Sequence, residues 1–253
     1  MKSLAIIEPP AMPTIAEMVA ADYRKANVFS QFGIDFCCGG KKTVADACAE
    51  KGLDFAQVEQ ALMQVAAKPD GGIHWNFQQW DTAFLTDFIV NAHHAYVRTQ
   101  VPRLLAFGEK VARTHGQKWP EVKEIYALAQ ALADELLAHI EKEERVLFPH
   151  IKSLAKSEMT TLRAPFGSVQ NPVRMMESEH ENAGQIMHDI RSLSNDFAPP
   201  VGACNTFRVW YALLREFEED LHLHVHLENN ILFVRAIALE KALIKPENNH
   251  PVA

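Results

Sequence analysis

Two segments 85 residues apart carry one pattern, His-x3-Glu-x2-[Val/Ile]-Leu-Phe: His139 to Phe148 and His224 to Phe233. A lone histidine precedes each of them, His94 and His180, 86 residues apart. Each half of the chain therefore offers one histidine and then, 45 or 44 residues later, a His-x3-Glu pair. Self-similarity of this kind predicts two like halves that build one pseudo-symmetric site.

The surrounding apolar residues recur at helical spacing. Phe207, Trp210, Leu214, Phe217, Leu221, His224, Glu228 and Ile231 advance by alternate threes and fours, and Ile125, Leu128, Leu132, Leu136, His139, Glu143 and Val146 form a second stripe. A third stripe runs Val173, Met176, His180, Ala183, Met187, Ile190, and the first runs Val90, His94, Val97, Val101, Leu104. No segment shows the period-two alternation of a half-buried strand. The pattern predicts an all-α protein whose residues 78–240 form an up-down four-helix bundle, with a histidine on the buried stripe of every helix.

A carboxylate and an imidazole on a buried stripe must be paired, because an isolated charge removed from water is very costly. A metal ion is one such partner, and His and Glu at i, i+4 lie one above the other, within reach of one ion or two adjacent ions. A single histidine on an apolar face is usually a satisfied core residue, but six matched positions on four helices, repeated by halves, point to a metal. Imidazole with carboxylate and no thiolate suits Fe, Mn or Zn. Two irons bridged by Glu143 and Glu228 fit best: four positive charges less two leave a cationic centre able to accept oxo, hydroxo, O2 or NO. His93 competes with His94 on the first helix, but its stripe would put Thr86 and Gln100 in the core. The stripe of His222 and His226 also carries Arg215, Glu218, Glu219 and Asn229 and reads as solvated. Glu144 and Glu179 adjoin presumed ligands, as groups that orient them or as surface carboxylates.

The first part of the chain is different. Thr14-Ile15-Ala16-Glu17 has the form of a capping box, and Thr43 to Asp46 and Asp54 to Gln57 repeat the signal more weakly. With Gly33, Gly39, Gly40 and Gly52 as interruptions, residues 12–70 read as a small helical domain, closed by the breaker cluster Lys68 to Gly72. At its centre Cys37 and Cys38 precede Gly39 and Gly40, where missing side chains allow a sharp bend and close approach of another molecule. Lys41, Lys42 and a helix start near Thr43 should favour thiolate, the nucleophilic and metal-binding form, so these cysteines are the candidate reactive pair. Cys48 and Cys204 read as structural. Four cysteines in 253 residues make no disulfide framework. A net charge of −7 speaks against nucleic acid or an anionic membrane as partner. No apolar run approaches the roughly 18 residues of a membrane span, and the apolar stretch near Met1 is too short for a secretion signal, which predicts a cytoplasmic protein.

These motifs, with Phe32-Gly33-Ile34-Asp35-Phe36-Cys37-Cys38-Gly39-Gly40 and Met176-Glu177-Ser178-Glu179-His180-Glu181, resemble the iron–sulfur cluster repair di-iron proteins of the YtfE and ScdA type, over about residues 14–240. The resemblance implies a hemerythrin-like bundle behind the Cys-Cys-Gly-Gly module. Its metal ligands fall on His94, His139, Glu143, His180, His224 and Glu228, the set that stripe and repeat select. It further implies two irons, oxo- and carboxylate-bridged, a cytoplasmic location, and restoration of clusters damaged by nitric oxide or oxidants, with damaged iron–sulfur proteins as partners and NO or O2 as small ligands. Oxygen-carrying hemerythrins generally offer five histidines where this chain has four, which favours iron release or redox chemistry over reversible O2 carriage. Reduction of NO to N2O at the same centre and a gas- or iron-sensing module are the competing expectations. Exposed thiols are compatible with a homodimer.

Overall fold

A computed structural model describes residues 12–67, 75–156 and 166–244. The Pro-rich lead before residue 12, the breaker cluster Lys68 to Gly72 and the tail from Lys245 lie outside them. Among the described residues the regular structure is helical, and no strand forms apart from an isolated bridge between Thr14 and Thr43. No described helix is long and apolar enough to cross a membrane. The chain divides into two compact units, Met1–Gln78 and Gln79–Ala253.

The first unit contains α1 (Ile15–Ala21), α2 (Lys25–Gln31), α3 (Val44–Lys51) and α4 (Phe55–Ala67). Both predicted threonine caps form. Thr14 Oγ1 accepts from Glu17 N–H while Glu17 accepts from Thr14 N–H at 2.8 Å, and Thr43 and Asp46 make the same reciprocal pair. Asp54 accepts from the Ala56 N–H at the start of α4. The two threonines face each other across the isolated bridge, so Ile15 N–H donates to Lys42 O at 2.9 Å and Ala16 N–H to Gly40 O at 2.8 Å. These bonds pin the far side of the Cys-Cys-Gly-Gly loop to the start of α1. A Cβ at Gly40 would lie 2.5 Å from Phe36 O, which explains the glycine there. Ile15, Val19, Phe29 and Val58 are wholly buried and make the core of this unit.

The second unit is a bundle of four long rods. The first joins α5 (Thr82–Ile89) to α6 (Ala95–His115) through a π turn at Val90–His94, and the second joins α7 (Glu121–Lys142) to α8 (Phe148–Ala155) through a π turn at Glu143–Leu147. The third is α9 (Gln170–Leu193). The fourth joins α10 (Asn205–Leu227) to α11 (Phe233–Ile244) through a π turn at Glu228–Leu232. Neighbouring rods run antiparallel, α6 packing on α7 and α10, and α7 on α9. Asp81 caps the first rod, accepting from Ala83 and Phe84 N–H. Pro120 stands at the N-cap of α7 and Pro172 third in α9, positions that leave no helical hydrogen bond to lose.

The third and fourth stripes are buried along their whole length. The second stripe departs from expectation at its end: Val146 is 46% exposed, and Leu147 and Phe148 face the core instead. The cause is the π turn, which takes in an extra residue and rotates everything after Glu143 relative to an unbroken α-helix. The stripe expected to be solvated on α10 is also corrected. Glu218, His226 and Asn229 are buried, and only Arg215 and Glu219 remain exposed. Arg191 on α9 neutralises Glu218, its Nε donating at 2.9 Å, so α10 can bury a second face against its neighbour. Cys48 is buried as expected, whereas Cys204 is exposed, with its Sγ 3.1 Å from His115 Nε2.

Candidate metal centre

All three π turns lie at one level of the bundle. His94 ends the first, Glu143 begins the second and Glu228 begins the third, while His139 and His224 come from the turns just before, and His180 from the middle of α9. An i→i+5 turn widens the backbone, and such turns are frequent at functional sites. They contribute three of the six polar side chains that converge here, each no more than 2% exposed.

The six form two overlapping quartets whose ligand atoms lie within 4.8 Å of one another: His94, Glu143, His224 and Glu228, and His139, Glu143, His180 and Glu228. Both carboxylates belong to both quartets. The Glu143 Oε2 atom is 3.3 Å from His94 Nε2 and 3.3 Å from His139 Nε2. Glu228 Oε1 is 3.0 Å from His224 Nε2, and Glu228 Oε2 is 3.1 Å from His180 Nε2. Despite these short separations, His94 Nε2, both Glu143 oxygens and Glu228 Oε2 make no properly directed hydrogen bond. Buried polar atoms are normally satisfied, and an exception needs a cause. The donors here surround common points instead of aiming at one another. His139 Nε2 and His180 Nε2 stand 2.9 Å apart, about the separation of two imidazole nitrogens each roughly 2.0–2.1 Å from one ion. The residues fit a cation-binding centre.

Each imidazole uses its other nitrogen differently. His94 Nδ1 donates to Glu144 at 2.8 Å, and Arg98 holds Glu144 from outside at 2.7 Å. His139 Nδ1 donates to Glu179 at 2.7 Å, with Lys142 on the far oxygen. His180 Nδ1 donates to Asn229 Oδ1 at 2.8 Å, whereas His224 Nδ1 is buried with no acceptor among the described residues. Such bonds fix the tautomer that leaves Nε2 open to a metal. Glu144 and Glu179 are thus orienting groups, and Asn229, which the sequence pattern placed in solvent, is a third.

His93 is buried too, so both alternatives on the first rod are inside. Its Nδ1 bonds Asp220 at 2.9 Å and its ring stacks on His224, 5.5 Å between centroids and 9° from parallel. It lies outside both quartets. Thr86, whose burial counted against this stripe, is wholly buried, its hydroxyl donating to Thr82 O at 2.8 Å.

Burial works against a charged His94, but the nearby carboxylates of Glu143 and Glu228 outweigh it and hold its pKa at about 10. His139 is likewise carried to about 9, mainly by Glu143 against the penalty of burial. His224 goes the other way, lowered by burial. Burial would raise the two carboxyls, yet the surrounding imidazoles hold Glu143 below the ordinary range and Glu228 well below it. Without a metal, two carboxylates thus face two imidazolium groups.

In the first unit, Asp35 organises the cysteine loop. Its Oδ1 accepts from Cys37 N–H at 2.9 Å, Cys38 N–H at 3.0 Å and the Cys37 thiol at 3.2 Å, and its Oδ2 accepts from Gly39 N–H at 2.8 Å. The two sulfurs are 3.9 Å apart. The expectation that basic neighbours would favour thiolate fails for Cys37: it is buried, Lys42 is paired with Glu50, and the Cys38 contact, burial and the Asp35 carboxylate push its pKa well up. Cys38 is the more open of the pair. The spacing predicted neither role of Asp35, although an aspartate two residues before the thiol is a standard side-chain turn former.

Comparison with known proteins agrees with this anatomy. Residues 12–66 match the ScdA_N model, a domain of unknown function, and residues 86–236 match the hemerythrin HHE cation-binding domain. The chain is 36% identical over 224 residues to the iron–sulfur cluster repair protein YtfE of Yersinia pestis (strain Pestoides F), covering 88% of this chain and 96% of that one. The YtfE proteins of Musicola paradisiaca (strain Ech703) and Yersinia pseudotuberculosis serotype O:1b (strain IP 31758) are also 36% identical, with the same coverage.

Proposed function

The chain belongs to the YtfE family of hemerythrin-like iron–sulfur cluster repair proteins, and from that premise we propose that it restores clusters damaged by oxidative or nitrosative stress, using a pair of irons held in the bundle. His94 and His224 would hold one iron and His139 and His180 the other, with Glu143 and Glu228 available to both. The observation that carries this reading is that two four-residue clusters share both carboxylates, an arrangement suited to two adjacent ions. When bound, the iron pair supplies redox equivalents and exchangeable iron, with NO or O2 as small ligands.

The protein's own groups set the conditions for that chemistry. Glu144, Glu179 and Asn229 keep the imidazoles of His94, His139 and His180 turned inward in one tautomer. Phe148 stacks on His94 at 5.5 Å and Phe233 lies parallel to His180 at 6.1 Å, so apolar rings wall off the centre from water. Four imidazoles and two carboxylates would hold iron less firmly than a set richer in nitrogen. Cys37 and Cys38, shaped by Asp35, provide the thiols that handle iron or electrons in repair, with Cys38 the accessible member.

The test is anaerobic reactivation of a cluster-damaged dehydratase by the iron-loaded protein, run beside a Cys37→Ala/Cys38→Ala variant and a His139→Ala/Glu143→Ala variant. Reactivation by the wild type, lost in both variants, is expected. If the wild type holds two irons and reactivates nothing, the repair reading is wrong and N2O production from NO becomes the activity to measure.

A further inference from the structure

We propose that the two metal positions are unequal by construction, and that the one bounded by His94 and His224 gives up its iron first. This deepens the di-iron reading above and rests on it. Three of the four imidazoles are anchored through Nδ1, to Glu144, Glu179 and Asn229. Both imidazoles of the His139/His180 position belong to that anchored set. His224 does not: its Nδ1 is buried and has no acceptor among the described residues, and the ring is steadied by stacking on His93 instead.

The chemistry follows from which nitrogen carries the proton. An imidazole that binds a metal through Nε2 must keep its proton on Nδ1. For His94, His139 and His180 that N–H already points at an oxygen, so metal binding completes a satisfied arrangement. For His224 it puts the proton on a buried nitrogen that has no acceptor among the described residues, so metal binding at this imidazole gains no supporting hydrogen bond. Loss of one such supporting partner typically weakens metal affinity about 10- to 100-fold. His93 is then a positioning residue. Its Nδ1 bond to Asp220 fixes the ring whose face supports His224, and both groups reach the centre only through His224.

The experiment follows iron leaving the fully loaded protein into excess chelator, anaerobically, by absorbance of the iron–chelator complex, with iron per chain measured before and after. Two phases of one iron each are expected, the first roughly 10- to 100-fold faster. Asn229→Leu removes the anchor of His180 and should accelerate the slow phase alone. His93→Ala should accelerate the fast phase alone, and His93→Phe, which keeps a ring to stack on, should restore it. His224→Ala should retain one slowly released iron, and His180→Ala one quickly released iron. A single phase in the wild type, or acceleration of the slow phase by His93→Ala, overturns the proposal. If the single-histidine variants hold no iron, the Asn229 and His93 arms still decide. Two unequal phases in a protein that reactivates no cluster enzyme would sustain this inference while sinking the repair reading; fewer than two irons in the loaded protein would remove its basis.

Discussion

His94 and His139 carry protons in the metal-free protein because Glu143 and Glu228 are ionised beside them. Their folded pKa values, about 10 and about 9, lie above the ordinary 6.5, so the stability they contribute is complete below about pH 6.5 and disappears as pH rises through 9 to 10. The apo protein should therefore lose thermal stability between pH 7 and 10 more steeply than a His94→Gln/His139→Gln variant. Metal loading at pH 7 should release protons, measurable by calorimetry in buffers of different ionisation enthalpy. Equal slopes for the two proteins, with no proton release, would contradict this account. At this scale the sequence was informative wherever a polar residue interrupted an apolar stripe, which is how all six centre residues were placed. It was silent on partners reached across helices: Asn229 looked like a surface residue because Arg191, which lets that face of α10 be buried, comes from another rod.

The rods themselves were legible from their 3.6-residue period, but the π turns were not, because one extra residue in a turn leaves local composition unchanged. Val146 shows the cost of missing them, being assigned to the core and found outside it. It also provides a test. Inserting one alanine after Val146 adds a second extra residue to the turn and should rotate α8 by about 100° relative to α7, taking Phe148 off His94 and Ile151 and Leu154 out of the core. A loss of about 2–5 kcal/mol, as for large core truncations, should appear as a lower denaturant midpoint. An unchanged midpoint would mean that the π turn does not set the register of α8.

The six residues of the centre and their anchors Glu144, Glu179 and Asn229 all belong to the second unit, Gln79–Ala253, while Cys37, Cys38 and Asp35 belong to the first. Residues 79–253 produced alone should bind two irons per chain with the spectrum of the whole protein, yet fail to reactivate a damaged cluster enzyme. Full activity from this fragment would remove the thiols from the function, and failure to bind iron would mean that the first unit supports the centre. One consequence of the centre's charge pattern belongs to the molecule as a whole. Two imidazolium groups against two carboxylates make the emptied bundle electrically balanced, with protons standing where cations would be. A protein that parts with its metal in use must survive the interval before reloading. If iron is given up in repair, as proposed, the solvent itself would supply the placeholder, and the same chain could serve again.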